Sequence, residues 1–336
     1  MKIVVDGMSG DKGTPEIVKG ILLAISEMPE IEVIVTGQQD ILNKEFSKYN
    51  GKYDKKRLSI VNADEVIKMT DDPVYAVRKK KNSSMNVGLD LVKTGVGDAF
   101  VSAGNTGALI SASQLKLRRI KGILRPAIAT VFPAKKKNIV FMDMGANSDT
   151  KPEFINQFSL MGSKFAEVIL HRENPKVSLL NIGTEEGKGN EVTREAYFLM
   201  QENKKINFVG NIESRDMMLG DIDVVVTDGF TGNMVLKTCE GLAEFIFSTL
   251  KEEIKKSFLA KIGIFLMLPV LKKLKKSLDS SEYGGALFLG LNGVSIKAHG
   301  NSDAKGIKNA IKVAKEFVDN KFVEKLKEVI DIQEEK

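Results

Sequence analysis

Apolar and polar positions along the chain follow a strand-then-helix order over most of its length. The apolar run KIVVD predicts a buried strand at residues 2–6, and the apolar positions after it recur every three to four residues, as in an amphipathic helix. Further elements are predicted as strands at 32–36 and 57–61, helices from 72 and over 84–93, and alternating strands and helices from 98 to about 256. Such alternation indicates an α/β fold with a mostly parallel sheet covered by helices, in three layers.

The last part of the chain departs from this alternation. Apolar runs at 287–291 and 294–298 flank Asn292 and Gly293, a pair that suits a tight type I′ turn and therefore predicts an antiparallel hairpin. Two closing helices are predicted at about 304–317 and 319–330. Because no linker composition interrupts the pattern, we expect one domain over residues 1–332. Its first helix is expected to begin at the sequence Thr-Pro-Glu, with the threonine as the cap.

A lysine-flanked apolar segment, IKKSFLAKIGIFLMLPVLKKLKK, occupies residues 254–276. Its uncharged stretch is too short to span a bilayer. Pro269 is predicted to break the helix near Leu268, which makes residues 250–280 a helix–turn–helix protrusion. Apolar residues on nearly all sides indicate burial in the surface layer of an anionic membrane, with a dimer or core helix as the alternative. The candidate membrane contacts are Ile262, Phe265, Leu266 and Leu268.

Four predicted strands end in a short loop rich in Gly, Asn and Thr that leads into a helix. The four segments are AFVSAGNTGALI, IVFMDMGANSD, VSLLNIGTEEGKGNE and VVVTDGFTGNMVLK. Glycine lets the backbone approach a ligand closely, and the free N–H groups at a helix start suit an anion. Because ligands bind at the carboxyl ends of strands in open α/β sheets, we expect all four loops at one edge, around a phosphate or an oxyanion.

These loops supply the polar groups that such a site needs. Lys188 lies between two glycines and could reach a phosphate as a point charge. The candidate substrate- or phosphate-binding residues are Gly104, Asn105, Thr106, Gly183, Thr184, Asn190, Asp228, Gly229, Thr231 and Gly232. Capping of the following helices is the alternative interpretation. No loop matches the P-loop or dinucleotide pattern, so ATP hydrolysis and NAD binding lack their usual motif.

Composition adds few constraints. The 336 residues carry a net charge of +6, which permits an acidic partner without identifying one. A single cysteine, Cys239, allows no internal disulfide and fits a reducing compartment, and we expect no signal peptide and no metal site. Of the two histidines, His171 is expected at a helix end, whereas His299 could hold a substrate oxygen or only satisfy its own loop.

Five stretches resemble the bacterial phosphate acyltransferase family of the PlsX type, the acyl-carrier-protein:phosphate acyltransferases. They are SSMNVGLDLVK, FVSAGNTGAL, NIGTEEGKGNE, DGFTGNMVLKT and GLNGVSIKAHGNSDAK, and the resemblance extends over residues 1–323. Near its start the family usually has DAMGGD, where this chain has DGMSGD, so that Asp6, Gly10 and Asp11 match. The resemblance therefore adds Asp6 to the candidate binding residues.

The resemblance implies a fold like that of phosphotransacetylases and of isocitrate- or isopropylmalate-dehydrogenase-like enzymes, without a cofactor. It implies transfer of a long-chain fatty acyl group from acyl carrier protein to inorganic phosphate, giving acyl phosphate for phosphatidic acid and phospholipid synthesis. It further implies a cytoplasmic homodimer in peripheral contact with an anionic membrane. The product would be handed to a membrane acyl-phosphate:glycerol-3-phosphate acyltransferase.

The implied reaction needs no enzyme nucleophile, because a thioester is already activated and phosphate is substantially dianionic near pH 7. We therefore expect direct displacement, with phosphate held in line and donors aimed at the thioester oxyanion. Lys188 would stabilise the phosphate or oxyanion charge, Asn233 and Asn105 would orient the phosphate or carbonyl, and His299 would be a secondary polar contact. The basic runs at 78–81 and 116–121 are candidates for docking the acidic carrier, with solvated lysines as the alternative.

Two other functions are compatible with the same residues. A phosphotransacetylase acting on short acyl-CoA would use the same loops. A non-catalytic adaptor at a membrane surface would use only the apolar segment and the basic face. A nucleic-acid binder is disfavoured, since the positive charge is diffuse and no recognition module is present.

Overall fold

The computed structural model describes residues 1–278 and 284–331. Its strands are β1 (Lys2–Asp6), β2 (Glu32–Gly37), β3 (Leu58–Asn62), β4 (Ala99–Ser102), β5 (Ala127–Phe132), β6 (Ile139–Met142), β7 (Lys176–Leu180), β8 (Asn207–Ile212), β9 (Val224–Val226), β10 (Ala286–Leu289) and β11 (Val294–Lys297). Its helices are α1 (Thr14–Glu27), α2 (Gln39–Ser47), α3 (Pro73–Lys79), α4 (Ser84–Lys93), α5 (Thr106–Leu117), α6 (Pro152–Val168), α7 (Glu191–Glu202), α8 (Ser214–Met217), α9 (Gly229–Lys256), α10 (Phe258–Leu278), α11 (Ala304–Asp319) and α12 (Phe322–Asp331).

The strands form a single sheet in the order β3-β2-β1-β4-β11-β10-β5-β6-β9-β7-β8. The first five strands of this order are parallel to one another, and so are the last four. Between them lie three antiparallel pairings in succession, β11 with β10, β10 with β5 and β5 with β6. The fold is therefore the expected α/β architecture, with a mostly parallel sheet and antiparallel hairpins.

Three reversals leave the two halves of the sheet running in opposite directions. The carboxyl ends of β1, β4 and β11 lie at one edge of the sheet, here called the upper edge. The carboxyl ends of β6, β9 and β7 lie at the opposite edge, here called the lower edge. The prediction that four glycine loops share one edge is therefore wrong: one lies at the upper edge and three at the lower. The cause is the β5–β6 hairpin, which direct strand–helix alternation does not contain.

Side chains of the strands alternate between two apolar layers, so the sheet is the middle of three layers. On β1, Ile3 and Val5 pack in one layer and Val4 packs in the other. The first layer holds buried residues of α1, α2, α6, α7, α11 and α12, and the second holds residues of α3, α4, α5, α8 and α9. Helices α5 and α9 thus lie on the same face of the sheet, over its two opposed halves.

The predicted hairpin is present, but its turn differs from the prediction. Leu287 pairs with Ile296, which leaves residues 290–293 as a four-residue loop with positive φ at Gly290, not a two-residue turn at Asn292. The backbone N–H of Asn292 donates to the carbonyl of Arg118 at 3.0 Å, and its side-chain amide donates to the carbonyl of Arg119 at 2.7 Å. These tertiary hydrogen bonds override the local turn preference.

The helix starts differ from the prediction at α1. Gly13 is the N-cap, with φ 68°, and no side chain caps the helix, so that Thr14 is its first residue and not its cap. Pro15 still lies in the first turn, where its missing N–H costs no hydrogen bond. Elsewhere side chains cap helices, for instance at Ser83, whose hydroxyl accepts the N–H of Asn86.

Helices α9 and α10 form a protruding hairpin, as predicted, but its turn is elsewhere. The chain reverses at Ser257, and Pro269 lies inside α10 without ending it. Residues on both sides of Pro269 face α9, which offsets the lost backbone hydrogen bond: Ile264, Leu268 and Leu271 line one cavity with Leu250 and Ile254. The side chain of Ile262 lies outside the part that the structure describes. Among the described helices, none has the length and apolar character needed to cross a bilayer.

Candidate functional site

At the upper edge, Asp6 ties together the loops that follow β1 and β4. Its carboxylate accepts the hydroxyl of Ser102 at 2.8 Å and the backbone N–H of Met8 at 3.2 Å, and Asp6 is buried. Burial raises the pKa of this carboxyl, and the donated hydrogen bonds oppose that rise. The hydroxyl of Ser9 accepts the N–H of Ala103 at 3.1 Å. Asp6 therefore holds the loop backbone in place and faces no open surface.

The loop after β4 contains three predicted binding residues. Asn105 is the N-cap of α5, since its side-chain oxygen accepts the N–H of Ala108 at 3.0 Å and its side-chain nitrogen donates to the carbonyl of Met69 at 2.9 Å. Gly104 is buried and Thr106 is exposed in the first turn of α5. The capping alternative thus accounts for the Asn105 side chain, while the first turn of α5 remains open at this edge.

Lys297, which the sequence analysis did not select, lies at the carboxyl end of β11. Only 7% of Lys297 is exposed, and its ammonium donates to the carbonyls of Ala103 and Ala298. Burial lowers its pKa to about 8, with the charge of Asp11 opposing this shift and that of Lys237 adding to it. The sequence feature that could have indicated Lys297 is a lysine at an inward position of the apolar strand VSIK.

His299 follows Lys297 by two residues and lies at the same edge. The residue is exposed, and its Nδ1 accepts the backbone N–H of Asn301 at 3.2 Å, which leaves Nε2 as the proton-bearing nitrogen. Desolvation lowers the pKa of the ring, Glu240 and Asp11 raise it, and Lys237 and Lys297 lower it further. The neutral ring can therefore donate one hydrogen bond toward a ligand.

At the lower edge, a second buried acid that sequence analysis missed organises the loops. Asp143 accepts the N–H groups of Ile128, Ala146 and Asn147 and the side-chain amide of Asn147, at 2.8 to 3.1 Å. Burial raises the pKa of its carboxyl and these hydrogen bonds oppose the rise. The sequence feature that could have indicated Asp143 is an acid directly after the apolar run IVFM.

The start of α9 packs directly on Asp143. A Cβ atom on Gly232 would lie 1.9 Å from the Asp143 carbonyl oxygen, and one on Gly229 would lie 2.8 Å from its Oδ2. Both glycines are therefore required by close packing. Asp228 caps α9, with its carboxylate accepting the N–H and the hydroxyl of Thr231 at 2.8 and 2.7 Å.

Asn233 is a polar residue that the second turn of α9 presents to solvent. Its side chain lies beside Gly145, where an added Cβ would be 3.5 Å from the Asn233 Cβ. Asn233 is exposed, and no protein group in the described residues forms a hydrogen bond with its amide. The amide donors of Asn233 are thus open to a ligand.

Lys188 lies in the loop after β7. Because β7 is parallel to its neighbour β9, this loop lies at the same edge of the sheet as Asn233. Its side chain is 50% exposed, and within the described ranges its ammonium has one ion pair, a long one to Glu185 at 3.8 Å. Asn190 is the N-cap of α7 and accepts the N–H of Thr193 at 2.9 Å; Gly183 is buried and Thr184 is exposed. The Lys188 ammonium is consequently free to contact an anion.

Helix α9 connects the two edges along one face of the sheet. Asn233, Lys237 and Glu240 are spaced by four and three residues, which places them in one stripe over a rise of about 10 Å. Lys237 and Glu240 form an ion pair at 2.6 Å, and their charges act on His299. The predicted residues are thus divided, with Lys188 and Asn233 below, Asn105 and His299 above, and a polar stripe between.

An apolar cavity of about 250 Å³ adjoins this stripe, between the end of β5 and α9. Its lining residues are Thr130, Val131, Phe132, Pro133, Met218, Leu236, Cys239, Glu240, Leu242, Ala243 and Ile246. Glu240 belongs both to the cavity wall and to the stripe. The arrangement therefore offers cations and open amide donors next to space for an apolar group.

Comparison with known proteins places the chain in a family. Residues 1–325 match the family described as "Fatty acid synthesis protein". The phosphate acyltransferase of Fusobacterium nucleatum subsp. nucleatum is 57% identical over 334 residues, which cover 99% of this chain and 100% of the relative. The phosphate acyltransferase of Halothermothrix orenii is 48% identical over 332 residues, covering 98% and 99%.

Solved structures show the same fold in distant relatives. A phosphotransacetylase from Streptococcus pyogenes has a TM-score of 0.59 and 17% identity, covering 96% of this chain and 94% of that chain. The EutD phosphotransacetylase from Staphylococcus aureus has a TM-score of 0.59 and 15% identity, covering 95% and 94%. From the near full-length matches to named acyltransferases, the chain belongs to the fatty acid synthesis protein family and is an acyltransferase enzyme.

Proposed function

We propose that the enzyme transfers a long-chain fatty acyl group from acyl carrier protein to inorganic phosphate, releasing acyl phosphate for phospholipid synthesis. Relatives at 57% and 48% identity carry the name phosphate acyltransferase, which supports phosphate as the acceptor. The observation that carries the proposal is the open cation–amide pair of Lys188 and Asn233 at one edge. Such a pair suits binding of an anion and stabilisation of an oxyanion.

The proposed chemistry is a direct displacement. A phosphate oxygen forms a bond to the thioester carbon, the carbon–sulfur bond breaks, and the carrier thiolate leaves and takes up a proton. Lys188 holds the phosphate charge, and the amide of Asn233 donates to the developing oxyanion. His299, Asn105 and the loop residues around them are secondary contacts in this proposal. The half-buried Cys239 is unsuited to a nucleophile's role, because burial raises the pKa of its thiol.

The apolar cavity beside α9 is the proposed site of the acyl chain. It opens next to Glu240, and its wall is mostly aliphatic and aromatic. Burial of methylene groups there would favour long donors over short ones, at about 0.8 kcal/mol for each methylene. Ala243→Trp fills the cavity and is expected to lower kcat/KM for palmitoyl donors about tenfold or more, with little effect on acetyl donors. Glu244→Trp, one residue along and exposed, serves as the control; an unchanged chain-length preference in Ala243→Trp would contradict the assignment.

The α9–α10 hairpin is the proposed contact with the membrane and with a second copy of the chain. Phe265 and Leu266 are 73% and 76% exposed, and Leu268 is 38% exposed. On α9, Leu242, Phe245 and Ile246 also face solvent, with exposures from 53% to 65%. Apolar surface of this extent on one protrusion favours a partner, either lipid or protein. Contact with an anionic membrane would let the product pass to the membrane acyltransferase that consumes it.

Docking of the acidic carrier is proposed on the basic run at 78–81. Arg78, Lys79 and Lys81 are exposed there, whereas Lys80 is held by Asp71 at 2.5 Å. In the second run, Lys116 is paired with Asp90 at 2.6 Å and Arg119 donates to backbone carbonyls, which leaves fewer free charges. Charge reversal of Arg78 and Lys79 should raise the KM for the carrier substrate and leave the KM for phosphate unchanged.

The donor is tested by comparing kcat/KM for palmitoyl carrier protein, palmitoyl-CoA and acetyl-CoA, with acyl phosphate trapped by hydroxylamine. The proposal predicts the highest value for the carrier substrate. Turnover confined to acyl-CoA would establish a phosphotransacetylase-like activity in its place, and no turnover with any donor would favour an adaptor. Intact-protein mass spectrometry without phosphate should show no acylated enzyme, and a stable acyl-enzyme would contradict direct displacement.

A further inference from the structure

We propose that Lys297 is the centre of a second anion site, which binds a phosphate group at the upper edge of the sheet. The inference deepens the proposed function and rests on it, because it assigns the group that the upper edge contributes to the same reaction. The site is distinct from Lys188, which lies at the lower edge.

The first observation is a buried ammonium without a counter-ion in contact. Lys297 is 7% exposed, and its two hydrogen bonds go to backbone carbonyls. Within the described parts of the chain, no carboxylate lies at ion-pair distance from it. An ammonium has three donors, so one N–H remains for a ligand. Burying such a charge unpaired is costly, which is the signature of a group kept for binding.

The second observation is the set of groups around Lys297. Strand alternation places it on the face of Ser295, whose hydroxyl lies 3.0 Å from that of Ser113 in α5. Its partner Ala103 directly precedes the loop at the start of α5, a helix of twelve residues whose first-turn N–H groups favour an anion. Lys237 approaches from α9 and Asp11 from the loop after β1. Because Glu240 pairs with Lys237 at 2.6 Å, Lys297 is the cation that a phosphate group would satisfy.

Lys297 at the upper edge and Lys188 at the lower edge are too far apart to share one ligand group. β11 spans four residues, or roughly 13 Å, so Lys297 and Lys188 cannot contact the same phosphate. The reaction offers two sources of the same chemical group: inorganic phosphate, and the phosphate that links the pantetheine arm to a carrier or to CoA.

Equilibrium binding of inorganic phosphate and of pantetheine 4′-phosphate, measured by calorimetry, tests the site without requiring turnover. Lys297→Met is expected to lower the affinity for one of these two ligands at least tenfold. The ligand whose affinity falls is the one whose phosphate group binds at Lys297. In kinetics the same variant should raise the KM for phosphate or the KM for the acyl donor accordingly. If wild type shows no turnover but the binding loss is found, the anion site stands and the proposed reaction fails.

Lys164→Met is the matched control. Lys164 is 17% exposed, pairs with Glu167 at 2.7 Å, and lies on α6 on the opposite face of the sheet, so both affinities should be unchanged. If Lys297→Met does not fold, Lys237→Met on exposed α9 replaces it, with an expected loss of about threefold or more. Affinities for both ligands within twofold of wild type, in whichever of these two variants folds, would overturn the proposal.

Discussion

Asp6, Asp143 and Lys297 are charged side chains buried at the carboxyl ends of strands, and the two acids differ from the lysine in what they contact. Asp6 and Asp143 accept backbone N–H groups and shape the loops at opposite edges. Lys297 instead donates to two backbone carbonyls and, among the described residues, has no ion-pair partner in contact, which is why we assign it to a ligand. Lys188 and Asn233 are the complementary case, exposed and open. Burial alone therefore does not distinguish the two roles: Asp6 and Asp143 hold loop backbone, whereas Lys297, which is also buried, is assigned to a ligand.

Because α9 packs closely on Asp143, adding one methyl group at Gly232 should lower the free energy of unfolding substantially. Gly232→Ala would place a Cβ 1.9 Å from a backbone oxygen, so the helix must shift, and we expect a loss of about 3 kcal/mol in the free energy of unfolding. Gly241→Ala, in the same helix with nothing within 4 Å, should instead gain about 0.5–1 kcal/mol. Urea unfolding of both variants checks this, and equal stabilities would contradict the packing.

Removal of the open cation should affect turnover more than stability. Lys188→Ala is expected to lower kcat about 10²–10³-fold, the effect of losing one donor to a developing charge. The control is Lys204→Ala, another exposed lysine near the end of α7, which should leave kcat unchanged. A Lys188→Ala enzyme within twofold of wild type would exclude the proposed role of Lys188.

The pKa of Lys297 predicts the sign of a stability change with pH. In the folded chain this pKa is about 8, whereas in the unfolded chain the amine titrates near 10.4. Between these values the unfolded chain binds the proton that the folded chain has lost, so the contribution of Lys297 to stability increases as pH rises through the window. The charged and titratable groups that face the same region are Asp11 and Lys237, which act on Lys297, and Glu240 and His299 beside them.

The measurement is the free energy of unfolding of wild type and Lys297→Met at pH 7 and pH 10. From pH 7 to pH 10, the free energy of unfolding of wild type should increase relative to that of the variant by on the order of 3 kcal/mol. The reason is that the cost of the buried charge is relieved only in wild type. A relative loss for wild type would show that Lys297 is stabilised as a cation in the folded chain.

At the scale of elements, the hairpin of α9 and α10 carries residues of the candidate site and exposed apolar residues on one piece of chain. Its base carries Asn233 and Lys237 at the candidate site, and its tip carries exposed apolar residues. A continuous helix of 28 residues joins them, so that the tip and the site are held by the same rigid element. Contact at the tip would therefore orient the site relative to a membrane surface.

Vesicle flotation tests the tip directly. Phe265→Glu combined with Leu266→Glu should abolish flotation with vesicles that contain anionic lipid, because two charges enter the apolar surface. Leu23→Glu combined with Ile41→Glu changes two exposed apolar residues far from the hairpin in sequence and should float like wild type. Equal flotation of the hairpin variant and wild type would contradict membrane contact at this site.

At the scale of the whole molecule, most local elements and the α/β class with its mostly parallel sheet followed from sequence, but the opposite directions of the two halves of the sheet did not. β1 and α4 begin and end where the apolar periodicity predicts, since each is decided by neighbours in sequence. The opposed halves of the sheet depend on the antiparallel pairing of β5 with β6, whose connecting residues 133–138 (PAKKKN) contain no tight-turn pair such as Asn-Gly. Lys188 and Asn233 were found because their loops stand out, whereas Lys297 and Asp143 were missed because single charged residues beside apolar strands gave too little contrast.

The central claim is that phosphate accepts the acyl group, and one measurement tests it most directly. Wild-type enzyme is incubated with palmitoyl carrier protein, with and without inorganic phosphate, and acyl phosphate is quantified after trapping with hydroxylamine. We predict product that forms at a rate saturating with phosphate and that is absent when phosphate is omitted. Release of free fatty acid at the same rate with and without phosphate, with no acyl phosphate, would contradict the claim.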